Sequence, residues 1–249
     1  MGTHSVNNPW VRKLRLFADV SVEDERFLND LVRNARTVPA RQDIISQGDL
    51  SECLFVVIDG AACRYKMLPD GRRQIMAFLL PGDSCDVHTF LMKRMDHSIA
   101  TLVPSRIAVI PRFAILEATE QRPRLTRIFW WSTMVDEAIL REWIVVVGRR
   151  TAYERVSHLL WETYLRLAAI GAASELSCEV PFNQSDMADT LGLSLVHVNR
   201  SVRRLKQDGL ISLEGRRLTI LDRKRLPAAA SFDPDYLHQV EMPVSRIAG

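Results

Sequence analysis

The side chains best suited to a specific chemistry lie in one stretch near the C-terminus, residues 183–211. The guanidinium of Arg200 can donate two parallel hydrogen bonds to a guanine edge, and the amide of Asn199 can pair in the same way with adenine. Val196 and His197 come about one helical turn earlier. The stretch therefore predicts contact with double-stranded DNA, and its base-contacting candidates are Val196, His197, Asn199 and Arg200.

A second group of side chains is suited to binding phosphate. Residues 195–226 contain nine basic and three acidic side chains, a net charge of +6 in a chain whose net charge is +3. A basic cluster on a mildly acidic body favours a polyanionic partner, and a solvated surface without function is the alternative. The phosphate-binding candidates are Ser185, Ser194, Arg203, Arg204, Arg216 and Arg217.

Two short helices are predicted to position these side chains. Ser185 is expected to cap the first helix, and Gly192 is expected to supply a positive φ in the turn that follows. Ser194 is expected to cap the second helix, which ends near Asp208 and is closed by Gly209. The predicted buried stripe of the second helix consists of Val198, Val202 and Leu205.

The segment after the second helix has the pattern of a β-hairpin. Residues 211–213 and 216–221 form two short runs on either side of a Glu214-Gly215 turn. The second run begins with Arg216 and Arg217, so the hairpin would be a basic wing. The capped helices, the glycine turn and the wing together favour a winged helix-turn-helix over a helical domain with a solvated basic face.

A long helix is predicted over residues 124–150, since only Gly148, near its end, would interrupt it. Apolar residues occur on nearly every side of this helix, so it must be buried on several sides. A homodimer formed through residues 124–148 would satisfy that requirement, and a central helix of a monomeric core is the alternative. A second helix is predicted from Thr151 to Ile170.

Residues 37–110 have a different pattern, with short apolar runs separated by turn signals such as Gly48-Asp49 and Pro81-Gly82-Asp83. Strands with turns spaced in this way predict a β-barrel or sandwich. The expected class is therefore α+β, with an N-terminal β domain, a long helix and a C-terminal DNA-binding domain.

Composition excludes several classes of function. We expect no membrane association and a cytoplasmic location, because the chain has no long apolar run and no secretory h-region. Cys53, Cys63, Cys85 and Cys178 are widely spaced, so we expect free thiols and no metal site. No nucleophile–base pair or phosphate loop indicates catalysis, and we expect no catalytic residues and no enzyme.

Over residues 12–226 the chain resembles the Crp/Fnr superfamily of bacterial transcription regulators. The resemblance rests on the order of the motifs QGD…LFVVIDG, LLPGD, GRRTAYERVSHLL and RLTILD. It implies a jelly-roll barrel like that of cyclic-nucleotide-binding domains, a homodimer and a two-fold symmetric operator. The predicted parts are an effector barrel (12–122), a dimerisation helix (123–150), a winged helix-turn-helix domain (151–226) and a flexible tail (227–249).

Departures from the family pattern bear on the signal that is sensed. Family members that bind cyclic nucleotides carry a Glu near the position of Val87 and an Arg where His97 precedes Ser98. Without that arginine a cyclic phosphate would be poorly held, so we expect no cAMP. An iron–sulfur cluster of the family type is not expected either, since no cysteine precedes Cys53. The resemblance places these residues near the effector pocket: Cys85, Val87, His88, His97 and Ser98.

Two alternatives to an unidentified small-molecule effector stay open. Haem-sensing relatives use barrel His or Cys ligands, for which Cys85, His88 and His97 are candidates, although ordinary pocket residues are the simpler interpretation. Cys178, just before the DNA-binding motif, is a candidate oxidisable thiol, and burial would make it inert.

The expected function is a dimeric DNA-binding regulator, with RNA polymerase as a further candidate partner. A ligand sensor that acts through protein contacts is the remaining alternative. Where better-known family members have a Glu that accepts from cytosine, this chain has Val196, which should favour a thymine methyl group instead.

Overall fold

The computed structural model describes residues 8–85, 87 and 93–238. The chain divides into two units. One contains the chain up to Ala62 together with Leu79–Met134, and the other contains Cys63–Phe78 together with the chain from Val135 onward. Residues 63–78 are thus grouped with the C-terminal unit, and the long helix is divided between the two units.

The elements follow one another in the order expected for an α+β protein. The strands are β1 (Arg36–Val38), β2 (Asp43–Ile45), β3 (Cys53–Asp59), β4 (Ala62–Met67), β5 (Arg73–Leu79), β6 (Ser84–Cys85), β7 (Ser98–Thr101), β8 (Ser105–Pro111), β9 (Ser177–Glu179), β10 (Ile211–Glu214) and β11 (Arg217–Ile220). The helices are α1 (Pro9–Leu14), α2 (Val22–Leu31), α3 (Arg112–Gln121), α4 (Pro123–Arg149), α5 (Ala152–Ala169), α6 (Gln184–Leu191), α7 (Leu195–Gln207) and α8 (Arg225–Ala229).

The N-terminal unit is built around an antiparallel sheet in the order β1-β8-β3-β6, and β2 pairs with β7 beside it. β3 is one of the two inner strands, and its apolar run is buried, with Val56 and Val57 both 0% exposed. A strand buried along its length is expected to be a continuous apolar run of this kind. The predicted class, an N-terminal β domain with a C-terminal helix-turn-helix, is confirmed.

The N-terminal helical region consists of two helices, α1 and α2. The Ser21 hydroxyl accepts from Asp24 N at 3.1 Å and so begins a new helix. In α1, Trp10 is 1% exposed, and its ring stacks on Phe129 with centroids 5.8 Å apart. The first helix is therefore held to the N-terminal unit by an aromatic contact.

The predicted long helix is confirmed as α4, a single helix of 27 residues. One of its faces is buried, through Leu125, Phe129, Val135, Ile139 and Val146. α5 follows after Thr151, which forms a reciprocal capping box with Glu154. The turn between the two helices is thus fixed by local hydrogen bonds.

The tail differs from the prediction of a flexible segment over the part that the structure describes, residues 227–238. It contains most of α8 and a 3-10 turn, Pro234–Leu237. Leu226, Ala230 and Leu237 are each 2% exposed or less, and α8 packs on α5. These buried apolar side chains hold the segment in place. The prediction missed this because the segment contains few large apolar residues. The predicted tail beyond His238 lies outside the described residues.

Within the described ranges, no helix has both the length and the apolar character that crossing a bilayer requires.

Candidate nucleic-acid interface

α6 begins two residues earlier than expected. Asn183, and not Ser185, is its N-cap, because Asp186 N donates to Asn183 Oδ1 at 2.9 Å and Asn183 N donates to Asp186 Oδ2 at 3.0 Å. This reciprocal capping box satisfies two backbone donors at once. Ser185 lies inside the first turn and is exposed, so its hydroxyl stays available as a phosphate-binding candidate.

The turn between α6 and α7 requires glycine. Gly192 has φ +61° and ψ +38°, the left-handed conformation that side chains disfavour. Leu193 N donates to Ala188 O at 3.1 Å and closes the turn, and Ala188 is 9% exposed where the two helices pack. The predicted glycine turn is confirmed.

α7 has the two faces that the sequence predicted. The Ser194 hydroxyl caps it by accepting from His197 N at 3.3 Å. Val198, Val202 and Leu205 are 0%, 4% and 0% exposed on the side that packs on α5. This buried stripe fixes which side chains of α7 face outward.

The base-contacting candidates all lie on the outward face, near the N-terminus of α7. His197, Asn199 and Arg200 are exposed, and Val196 is 64% exposed. Asn199 Nδ2 donates to Leu195 O at 3.0 Å, so the amide would have to rotate to reach a base. Leu195 is itself 50% exposed beside Val196 and was missed, although its place at the first helical position could have indicated it.

The phosphate-binding candidates differ in how they are held. Arg203 and Arg217 are exposed, as is Arg204, whose guanidinium lies 4.7 Å from the ring centroid of Tyr153. Arg216 Nε donates to Val180 O at 3.2 Å, which ties its side chain to the residue that follows β9. Within the described ranges, neither Arg200 nor Arg203 forms an ion pair.

The wing is a three-stranded sheet in the order β10-β11-β9. Ile211 pairs with Ile220 and Glu214 with Arg217, so Gly215 and Arg216 form the tip, with φ +59° at the glycine. β9 adds the third strand, with Cys178 opposite Leu218. The predicted basic wing is confirmed, and its exposed cations are carried on a rigid sheet.

An ion-pair cluster that sequence reasoning missed ties β5 to α6. Arg73 Nη2 lies 2.8 Å from Asp186 Oδ1 and 2.8 Å from Asp189 Oδ2. Asp186 is 0% exposed, so it accepts both from this guanidinium and from the backbone of the capping box. The first helix of the motif is therefore clamped from outside the DNA-binding segment.

A buried polar network joins α4, α5 and the tail. Trp143 Nε1 and the Tyr236 hydroxyl both donate to Glu162 Oε2, at 3.0 and 2.7 Å. Arg150 donates to His158 Nδ1 at 2.7 Å, which leaves His158 Nε2 to donate to the Tyr236 oxygen at 3.0 Å. Burial raises the pKa of Glu162, but the hydrogen bond from His158 and the charge of Arg166 outweigh it and hold the pKa below its ordinary value.

The effector-pocket candidates that the structure describes have different surroundings. Cys85 is 1% exposed in one apolar cluster, which also contains Phe55 and Ile107, while Val87 packs in a second cluster. His97 Nδ1 bonds Asp96 at 2.7 Å, and the Ser98 hydroxyl accepts from Gln47 N at 2.9 Å. His88 lies outside the described residues.

The surroundings of two of these candidates bear on the expectation that the chain does not bind cAMP. A ribose hydroxyl needs a polar acceptor, and the candidate position is the apolar side chain of Val87, 7% exposed among apolar neighbours. At the expected place of a phosphate-binding arginine, His97 bonds a carboxylate instead.

The structure argues against Cys178 as an oxidisable thiol. Cys178 is 6% exposed, and burial raises its pKa to about 12. The thiolate, which is the reactive form, is therefore scarce near neutral pH.

Among residues 8–85, 87 and 93–238, no three His, Cys, Asp or Glu side chains are grouped so that they could hold a metal ion.

Two protein families match the chain. The cyclic nucleotide-binding domain matches residues 35–122, and the Crp-like helix-turn-helix domain matches residues 154–229.

Individual proteins match over most of the chain. The nitrogen fixation regulation protein FixK of Bradyrhizobium diazoefficiens is 30% identical over 190 residues, which cover 76% of this chain and 79% of FixK. The transcriptional activator protein FnrL of Cereibacter sphaeroides is 30% identical over 208 residues, 82% and 83% of the two chains. The structure of FixK2 from Bradyrhizobium japonicum has a TM-score of 0.73 at 26% identity and covers 80% of this chain and 98% of that one. These relatives, together with the β domain and the winged helix-turn-helix, place the chain in the Crp/Fnr family of transcription regulators.

Proposed function

We propose that this regulator binds a two-fold symmetric operator as a homodimer, placing α7 of each copy in the major groove. The observation that carries the proposal is the outward face of α7, where Val196, Asn199 and Arg200 are exposed above a buried stripe. A helix held in this way can present its first turns to base edges.

The arrangement of the cations supports a division of roles. Arg200 and Asn199 lie near the N-terminus of α7 and would contact bases, with His197 and Val196 beside them. Arg203, Arg204, Arg216 and Arg217, together with Ser185 and Ser194, would bind phosphates and fix the position of the protein on the duplex. Half-sites about 34 Å apart, roughly one helical turn, would match such a dimer.

Dimerisation would use the exposed face of α4. Trp130, Met134 and Ile144 are 71%, 60% and 73% exposed there, which is an unusual amount of apolar surface for one helix of a folded chain. A second copy would remove this surface from water.

We propose further that cAMP is not the effector. Two observations support this. The buried Val87 supplies no acceptor for a ribose hydroxyl, and His97 bonds Asp96 at the expected place of a phosphate-binding arginine. Calorimetry of the full chain with cAMP should show no saturable heat, and stoichiometric binding would contradict this part of the proposal. A DNA-binding regulator of this kind would act in the cytoplasm, and its protein partner at a promoter would be RNA polymerase.

The test of DNA recognition is an in vitro selection from random duplexes by the full chain, next to Arg200→Ala and Arg203→Ala. We expect the wild type to recover a palindrome. Arg200→Ala should lose discrimination at one base pair per half-site, about 1–3 kcal/mol. Arg203→Ala should weaken binding to all sequences alike and reduce the salt slope by about 1.

Two results of this selection would contradict the proposal. If the wild type shows only salt-sensitive binding without sequence preference, under both reducing and oxidising conditions, the proposed operator recognition is wrong. If Arg200→Ala and Arg203→Ala behave alike, the division between base and phosphate contacts is wrong.

A further inference from the structure

The exposed face of α4 carries a regular stripe. Exposed residues recur at alternating steps of three and four, the spacing of a coiled-coil seam. From the N-terminal end the stripe consists of Trp130, Met134, Glu137, Arg141, Ile144 and Gly148. Most of these residues are apolar, but two charged residues stand in the middle.

The two charged residues are placed to reach a second copy. Glu137 and Arg141 have side chains that are 61% and 65% exposed, and Arg141 Nη1 lies 3.3 Å from Glu137 Oε2 within the chain. The neighbouring charges on the helix are engaged elsewhere, since Asp136 pairs with Arg64 at 3.2 Å and Glu142 pairs with Arg150 at 2.6 Å. Glu137 and Arg141 are thus the charged pair that faces outward from the centre of the stripe.

Two-fold symmetry determines what these residues would meet. In a parallel pair of helices each seam position faces the same position of its partner, and the next layer lies one turn away. Glu137 would face Glu137 of the other copy, and the two Arg141 side chains would lie one layer away, so each guanidinium would have to reach diagonally to the carboxylate of the other copy. The four side chains then carry two charges of each sign, whereas a register shifted by one layer would keep one such pair and bring the remaining charges against Met134 and Ile144.

We propose that the seam of the homodimer contains a reciprocal ion-pair network between Glu137 and Arg141 of the two copies, which fixes the register of the α4 helices and the choice of partner. This inference rests on the dimer of the proposed function and adds the residues that specify it. Apolar contacts of Trp130, Met134 and Ile144 on both sides would supply most of the affinity, since polar groups in such seams contribute mainly specificity.

The register matters for the regulator because α4 leads into the DNA-binding domain through the short turn at Arg150 and Thr151. A slip of the two α4 helices would move one α7 relative to the other along the operator. A fixed register would keep the spacing of the two helices matched to the half-sites.

The test uses two charge reversals, Glu137→Arg and Arg141→Glu, made separately in the full chain. Each variant alone would place like charges in the centre of its own seam, whereas a mixed dimer would contain balanced charges. We expect the homodimer dissociation constant of each variant to rise at least about tenfold, as measured by analytical ultracentrifugation. Mixing the two variants with different mass labels should give predominantly the mixed dimer by native mass spectrometry.

Two controls make the result specific. The double variant Glu137→Arg/Arg141→Glu restores balance and should dimerise like the wild type. The reversals Asp30→Arg and Arg33→Glu alter another exposed ion pair, at the end of α2, and should leave dimerisation unchanged and give no preference for mixed dimers.

The outcomes separate this inference from the proposed function. If the wild type is a dimer, but both single variants dimerise equally well and mix at random, the ion-pair network is wrong while the dimer stands. If the wild type is a monomer, both with and without operator DNA, the dimer and the network fail together. Preferential mixed dimers with recovery in the double variant would support the network.

Discussion

The Tyr236 hydroxyl donates a hydrogen bond to Glu162 Oε2 at 2.7 Å, which joins the C-terminal segment to a buried carboxylate of α5. The same carboxylate accepts from Trp143 of α4, so one side chain holds three parts of the chain together.

Tyr236→Phe should destabilise the protein by about 1–3 kcal/mol, because it removes a donor from a buried charged acceptor. Urea unfolding of the full chain measures the change in the free energy of unfolding. Tyr153→Phe is the matched control, since its hydroxyl donates to Asp208 at the same 2.7 Å but at an exposed site. It should cost no more than about 1 kcal/mol. Equal losses in the two variants would contradict a special role for the Glu162 network.

The stability contributed by Glu162 should depend on pH. Its pKa in the folded chain is held below the ordinary value of 4.5, so the folded state favours the charged form. This contribution is complete above that ordinary value and is lost as the pH falls through the lower, folded value. The difference in unfolding free energy between the wild type and Glu162→Gln should therefore be constant near neutral pH and shrink on acidification to about pH 3. If the difference in unfolding free energy between the two proteins does not change with pH, the charged form of Glu162 is not favoured by the folded state.

Arg73→Met should destabilise the DNA-binding domain, because it removes the guanidinium that pairs with the buried carboxylate of Asp186. Removing one partner of a buried pair costs about 3 kcal/mol or more. Asp189→Asn is the control, since its side chain is 29% exposed and its contact with Arg73 should contribute less than about 1 kcal/mol. Hydrogen exchange of the α6 amides measures the effect locally, and unchanged protection in Arg73→Met would contradict the clamp.

Val196 should recognise thymine through its methyl group. Replacing a contacted thymine with uracil in the selected operator removes that methyl and should weaken wild-type binding about fourfold, the equivalent of about 0.8 kcal/mol. Val196→Ala should bind the thymine and uracil operators alike. Uracil at a position outside the half-sites serves as the DNA control. If Val196→Ala is equally sensitive to the replacement, another residue makes the methyl contact. The exposed Leu195 beside Val196 would be the first candidate.

Cys178 should be unreactive in the folded protein. With a pKa raised to about 12 and a buried side chain, it should resist alkylation near neutral pH until the chain is unfolded. Cys53 is only partly buried and should be labelled first. Peptide mass spectrometry after timed iodoacetamide treatment measures both sites, and rapid modification of Cys178 would restore it as a redox candidate.

Much of the DNA-binding motif was determined by the sequence itself. The spacing of Val198, Val202 and Leu205 defined the buried side of α7, and the serine at 194 and the glycine at 192 defined its start. These features are local, because helical periodicity, capping and a left-handed φ depend on residues within a few positions of one another. For the same reason the length of α4 and the basic wing were predictable.

Only the tertiary structure decided the contacts between residues distant in sequence. Three features depend on which elements pack together: the pairing of Arg73 with Asp186, the hydrogen bond of Tyr236 to Glu162, and the burial of Cys178. The local sequence around a single arginine, tyrosine or cysteine does not show whether its side chain will be exposed to solvent or buried in a core. The separation of Cys85 and Val87 into different apolar clusters is of the same kind, since burial is a property of the assembled chain and not of its local pattern.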